Sequence, residues 1–299
     1  MKQLIWIWTI ILFFSACTSG TKEPEATVLV HKKTIQLNVS ILLDLSDRID
    51  TTKYSAIPQY YKRDIADVNA IARIFKSKIE IKKIFDLKDK LKVYFHPMPT
   101  DAAIVDVASK LNIDLAGKEK GEISKTYDNI ENIFAENSEK LYQLVIKNSG
   151  SPDKFPGSNI WRFVKDEVPT KCIDKDSTYR NILVIITDGY MYYSSDQKKE
   201  NNRYNYIERD YDHLKKFRQA NALSSFDKDG YGFIPAQNNL SNLEVLVLEI
   251  APPDNHAEDY DILKKYWEKW LTEMKVKKFQ VVKTDLPVNT ENIIKLFLE

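Results

Sequence analysis

Asn38–Asp50 reads NVSILLDLSDRID, a run of aliphatic and β-branched residues that stops abruptly at Asp44-Leu45-Ser46-Asp47-Arg48. A short apolar run bounded by polar residues is what a strand buried on both faces looks like, the kind that lies in the middle of a parallel sheet. Asn181–Tyr190, NILVIITDGY, has the same form and again ends in a carboxylate, Asp188. In open α/β sheets, ligands sit in the crevice beyond the carboxyl ends of the central strands. If the two strands are neighbours, Asp44, Ser46 and Asp188 converge on that crevice. Oxygen-only side chains gathered in this way suit a hard divalent cation such as Mg2+ or Ca2+.

Outward from these two strands, helical and extended patterns alternate along the chain. Thr34–Leu43 is the first strand. Asp64–Ser77 carries Ile65, Val68, Ile71, Ala72 and Phe75 at helical spacing and is predicted to be the crossover helix. Lys90–His96 is the next strand, Lys110–Ala116 a short alternating strand, and Gly121–Lys147 a long helix. Asn148–Gly157 is a Ser/Pro/Gly/Asp loop leading into a short helix, Ile160–Asp166, for which Ser158 also fits as an N-cap. Past Asp188 come Tyr190, Tyr192 and Tyr193, then a helix over Arg209–Ala222 and a long insertion, Leu223–Asn239. Leu243–Ile250 and Lys278–Lys283 are further strands. Between them lies the helix Asp259–Met274, whose Tyr266, Trp267 and Trp270 at three- and four-residue spacing point to core packing. Thr290–Leu298 closes the chain as a helix capped by Asn289 or Thr290. Strand and helix alternating in this way predict an α/β fold: a doubly wound, mainly parallel central sheet with helices on both faces.

The pattern Asp-x-Ser after the first strand, with Thr-Asp-Gly after a later one, resembles the von Willebrand factor type A domain and its metal-ion-dependent adhesion site. The resemblance covers residues 34–299 in outline and is specific over about a dozen of them. It implies a Rossmann-like sheet with one short antiparallel edge strand, here Lys110–Ala116. It also implies a ligand set of Asp44, Ser46 and Asp188, completed by a middle-loop hydroxyl. Ser158 in Pro156-Gly157-Ser158-Asn159-Ile160 is the best match for that hydroxyl, and Thr126 is a weaker one. The family's second serine falls on Arg48, which puts a guanidinium beside the site.

The chain's beginning gives its expected address. Met1-Lys2 and the apolar run Leu4–Phe14 form a secretory signal, too short to span a bilayer, which takes about 20 residues. Phe14-Ser15-Ala16-Cys17 resembles a bacterial lipobox, so residues 1–16 are expected to be removed and Cys17 lipidated. Residues 17–33 then form a polar tether. By the rule for such lipoproteins, Thr18 in place of aspartate favours the outer membrane. Cys172 is the one remaining cysteine and reads as a structural thiol, so no disulfide is expected. The full chain of 299 residues carries 44 basic and 43 acidic residues, a balance that argues against nucleic acid as a partner and against a polybasic membrane patch.

Two classes of function follow. The first is a membrane-anchored binding module that grips a protein partner, either through a cation whose open position takes an acidic residue of the partner or without metal, with Arg48 replacing the cation. Arg48, Tyr190, Tyr192 and Tyr193 would supply the contact surface. The second class is an enzyme. Asp44 after a buried strand also resembles the nucleophile of haloacid-dehalogenase-type phosphohydrolases, but the acid those enzymes need two residues later is Ser46 here. With 8 glycines, no phosphate-cradling loop and no spaced histidine pair, the expectation is a protein that is not an enzyme.

Overall fold

The computed structural model describes residues 34–149, 155–209, 212–219 and 222–299. Its elements begin with β1 (Gln36–Leu43), α1 (Tyr60–Glu80), β2 (Lys90–Tyr94), α2 (Ala102–Lys110), β3 (Asn112–Asp114) and α3 (Lys120–Ser149). Next come α4 (Ile160–Arg162), a π-helical turn over Phe163–Glu167, α5 (Val168–Lys171) and β4 (Tyr179–Ile186). The second half holds β5 (Lys199–Glu200), β6 (Arg203–Tyr204), α6 (Asp212–Phe217), β7 (Gly232–Phe233), β8 (Leu243–Ile250), α7 (Asp259–Glu273), β9 (Lys278–Lys283) and α8 (Pro287–Leu298). The expected leader, Cys17 and the expected tether lie outside the described residues, as do residues 150–154 of the loop before Ser158. Among the described residues no helix is long and apolar enough to cross a membrane.

Six strands form one sheet in the order β3-β2-β1-β4-β8-β9, all parallel except β3, which runs antiparallel to β2 at the edge. Side chains of a strand alternate between the faces of its sheet, and the packing shows both faces covered. Ile41, Leu43, Val184 and Ile186 join one hydrophobic cluster with α1, α3 and α8. Leu42, Leu183 and Ile185 join a second with α7 and the segment around Trp161 and Phe163. This double burial is the reason the central strands read as predominantly apolar runs.

The two strands that set the fold are direct neighbours in register, Leu43 beside Ile186, and Ile186 is in turn beside Leu248 of β8. Asp44 N donates to the Ile186 carbonyl and Thr187 N to that of Leu248, each at 3.1 Å. Asp44, Thr187 and Glu249 therefore stand in one row where the three central strands end.

Several boundaries differ from expectation, each for a local reason. The edge strand is limited to Asn112–Asp114 because Lys110 ends α2, a helix that the sequence pattern missed. Its N-cap is Asp101, whose carboxylate accepts from the amides of Ala103 and Ile104. α8 starts at Pro287 rather than Thr290, since proline's fixed φ and missing N–H suit a first helical position. Neither Asn289 nor Thr290 is its cap. In the insertion, β5, β6 and β7 form a small separate sheet. Phe233 of β7 packs edge-on to Trp267 and Trp270 of α7 at 5.9 and 5.6 Å between ring centroids. Cys172 is fully buried, and burial pushes its thiol up to about 12, as befits an inert structural cysteine.

Candidate functional site

The loops leaving β1 and β4 enclose a cavity of about 550 Å3 whose lining includes Asp44, Ser46, Ser158, Asp188, Tyr192 and Arg209. The four proposed ligands are thus brought together. Ser158 arrives because Gly157, at φ +78, bridges back to Leu45 across a local antiparallel contact. Thr126 lies in α3 and is not part of this lining. Gly189 turns the chain immediately after Asp188 at φ +94, where an added Cβ would come within 2.7 Å of the Ile250 side chain.

Both acids are already engaged. Asp44 Oδ1 accepts from the Ser46 amide at 3.0 Å and its Oδ2 accepts from the Thr187 hydroxyl at 2.7 Å, with Arg48 Nε at 3.7 Å. Burial, offset by Arg48 and reinforced by Asp188, raises the Asp44 carboxyl to about 6. Asp188 Oδ1 accepts from the Tyr190 amide at 3.1 Å, and its Oδ2 takes a charge-assisted bond from Arg209 Nη2 at 2.9 Å. The Arg209 guanidinium lies 4.6 Å from the ring centroid of Tyr54 and 5.2 Å from that of Tyr190.

Arg48 does not reach the surface. It is 1% exposed, and its Nη2 bonds both carboxylate oxygens of Asp64 on α1 at 2.8 Å. Tyr142 of α3 donates to the same carboxylate at 2.8 Å. Burial alone would lower the Arg48 pKa, but Asp64, Asp44 and Asp188 more than offset it and the net shift is upward. The expected role of Arg48 as a contact residue is therefore corrected: the short turn after Ser46 carries it inward, where a buried arginine requires carboxylates. Tyr190 is likewise buried, its hydroxyl donating to Asp259 at 2.9 Å. Tyr192 stands exposed on the rim, while Tyr193 is half-buried against Gly157. Asp47 pairs with Lys53 at the mouth rather than with Arg48.

Sequence reasoning missed Arg209, Asp64 and Thr187. Arg209 follows β4 by some twenty residues of irregular chain, and no spacing rule brings it back to Asp188.

These donors do not fit a divalent cation. Arg209 holds the outer oxygen of Asp188, Arg48 stands beside Asp44, and among the described residues no group of three or more His, Cys, Asp or Glu side chains is placed to ligate an ion. A dication would have to displace one guanidinium and tolerate the other at close range. Among the described residues, the Ser158 hydroxyl is buried without a hydrogen-bond partner.

A second set of acids lies beneath the crevice on the α1 side. Glu249 adopts φ +68 at a register shift in β8, which breaks the alternation of that strand: Leu248 faces one cluster and Ile250 the other. Glu249 is left on the α1 side, 4.0 Å from Arg63, where its charge acts on Asp67 of α1, and among the described residues Asp67 Oδ2 has no hydrogen-bond partner. Burial raises the Glu249 carboxyl to about 7 and the neighbouring Asp67 well above the carboxylate range. The folded value of Glu249 exceeds the ordinary 4.5, so the native state holds the extra proton and this group's contribution to stability declines as pH rises from about 4.5 to about 7. Glu249→Gln should abolish that decline. Relative to wild type, its stability should gain on the order of 2 kcal/mol between pH 5 and pH 8, read from denaturant midpoints. Parallel pH profiles for the two proteins would refute the assignment.

No family model matches the chain, and no curated protein matches it. Among solved structures, it is similar to an aerotolerance-related membrane protein from Bacteroides fragilis, with a TM-score of 0.36 and 12% identity over 88% of this chain and 98% of that one. It is also similar to proximal thread matrix protein 1 from the mussel byssus, with a TM-score of 0.35 and 11% identity over 89% of this chain. The chain spans about half the length of the mussel protein, 48%. The strand order and register, rather than these distant likenesses, define the architecture: a six-stranded, mostly parallel sheet with helices around it.

Proposed function

We propose that this chain is a von Willebrand factor type A-like binding module of the bacterial cell envelope. It is anchored by lipid on Cys17, in the outer membrane by the Thr18 rule, and contacts a protein partner through the strand-end crevice without a metal ion. The observation that carries this reading is the Asp188–Arg209 ion pair at 2.9 Å in the cavity where β1 and β4 end. The crevice lies where open α/β sheets take ligands, and its acids are neutralised from within. Arg209 and exposed Tyr192 are of the residue types enriched at protein contacts, and the Lys53–Asp47 pair lies at the polar mouth. Both oxygens of Asp44 are engaged, which supports binding over its use as a nucleophile.

The test is site-specific photocrosslinking of the full chain in cells that produce it. A photoreactive residue at Tyr192 or at Asn255, both on the rim, should give one discrete protein adduct. The same residue at exposed Ser109, on α2, should give none. No adduct from either rim position, or the same ladder from all three, would overturn the proposal.

A further inference from the structure

We infer that Arg209 is a built-in counter-ion that holds the crevice closed to metal ions, and that deleting its charge turns Asp44, Ser46, Ser158 and Asp188 into a divalent-cation site. The inference rests on the crevice described above, but it concerns the cation rather than the partner. The arginine is fixed from several sides. Asp188 takes its Nη2 at 2.9 Å and the rings of Tyr54 and Tyr190 flank it. Its own carbonyl accepts from Arg218 Nη2 at 3.0 Å. Arg218 is in turn held by two bonds of 2.8 Å to Asp259, the buried acid that also accepts the Tyr190 hydroxyl. A guanidinium built into such a network is a structural part of the crevice rather than a surface side chain resting on an acid.

Two observations point to a ligand once that charge is gone. The Ser158 hydroxyl, 5% exposed, lines the same cavity and has no hydrogen-bond partner among the described residues. Asp44 and Asp188 line one cavity with Ser46 and Ser158, so removing Arg209 leaves two carboxylates and two hydroxyls with one compensating charge, Arg48, beside Asp44. Hard oxygen donors with uncompensated negative charge are what Mg2+ and Mn2+ require.

The experiment is calorimetric titration of the full-length chain in detergent with Mn2+. Wild type should give no heat at millimolar Mn2+. Arg209→Met, which keeps an apolar stem between the two tyrosines, should bind at least about tenfold more tightly. Arg209→Lys, which keeps the charge, should behave as wild type, and Arg209→Met with Asp188→Asn should lose the gain. Arg209→Gln is a second charge-free variant should the methionine fail to fold. A folded charge-free variant that binds no Mn2+ would overturn the inference, and so would wild type binding as tightly as the variant. Wild-type binding would also remove the metal-free part of the proposed function, whereas a silent charge-free variant would not; contact with a protein partner is judged by the rim crosslinks, so the metal lock and the binding module are told apart.

Discussion

Arg48→Met should lower the free energy of unfolding by about 3–5 kcal/mol, the cost of leaving a buried charge without its partner. Arg48 and Asp64 are 1% and 0% exposed, and the arginine links Asp64 on α1 to Asp44 at the end of β1. With a neutral, apolar residue in its place, Asp64 keeps only the Tyr142 hydroxyl and Asp44 loses its nearest cation. Both acids would then take up protons or draw in water. The same physics predicts strong non-additivity, because a buried ion pair contributes far less than the cost of breaking it. Arg48→Met combined with Asp64→Leu should therefore be less destabilising than Arg48→Met alone. Urea midpoints of the two single variants and the double variant give the measurement. A loss below about 1 kcal/mol for Arg48→Met would place the pair among solvated ones.

Trp267→Ala should cost about 3–5 kcal/mol, the range for deleting a large aromatic from a packed core. Trp267 is fully buried, lies 5.6 Å from Trp270 and 5.9 Å from Phe233 between ring centroids, and donates its indole N–H to the Gly189 carbonyl at 3.0 Å. That bond ties α7 to the turn carrying Asp188, so the loss should be felt at the crevice as well as in the core. Hydrogen exchange should accelerate at the amides of Gly189 and Tyr190, which are held by Thr187 Oγ1 and Asp188 Oδ1, more than at the amides of β2 across the sheet. Trp267→Phe, which fills part of the space but cannot make the bond, should fall between the two proteins. Equal exchange at both places would show that the indole serves the core alone.

Much of the architecture was legible in the chain itself. β1, β4 and β8 are apolar over most of their length because both faces of the sheet are covered, and no helix or half-exposed strand needs that composition. Asp44 and Asp188 could be placed at one crevice because each is the first charged residue after such a run, and neighbouring parallel strands end together. The interior carboxylate of LEVLVLEI, Glu249, was a third signal of the same kind, an acid at the end of an apolar run. Its meaning depended on a left-handed residue that no periodicity announces.

Local pattern sets which residues can be strand or helix, and it marks where polar groups must be placed at strand ends. On those grounds the sequence by itself determined the mixed α/β class, the two central strands and the acids of the crevice. Only the tertiary structure decided which cations meet those acids. The Arg48 and Arg209 side chains are long, each could pair with any of several carboxylates, and the choice depends on where α1 and the chain after β4 come to rest. Arg48 went inward to Asp64 because α1 presents that acid in the core. Arg209 reached Asp188 because the Tyr54 and Tyr190 rings and the Arg218–Asp259 pair hold it there. Charge pairing across long sequence separations is a property of packing, and that is why the crevice and Arg48 beside it were visible in the chain while Arg209 and Asp64 were not.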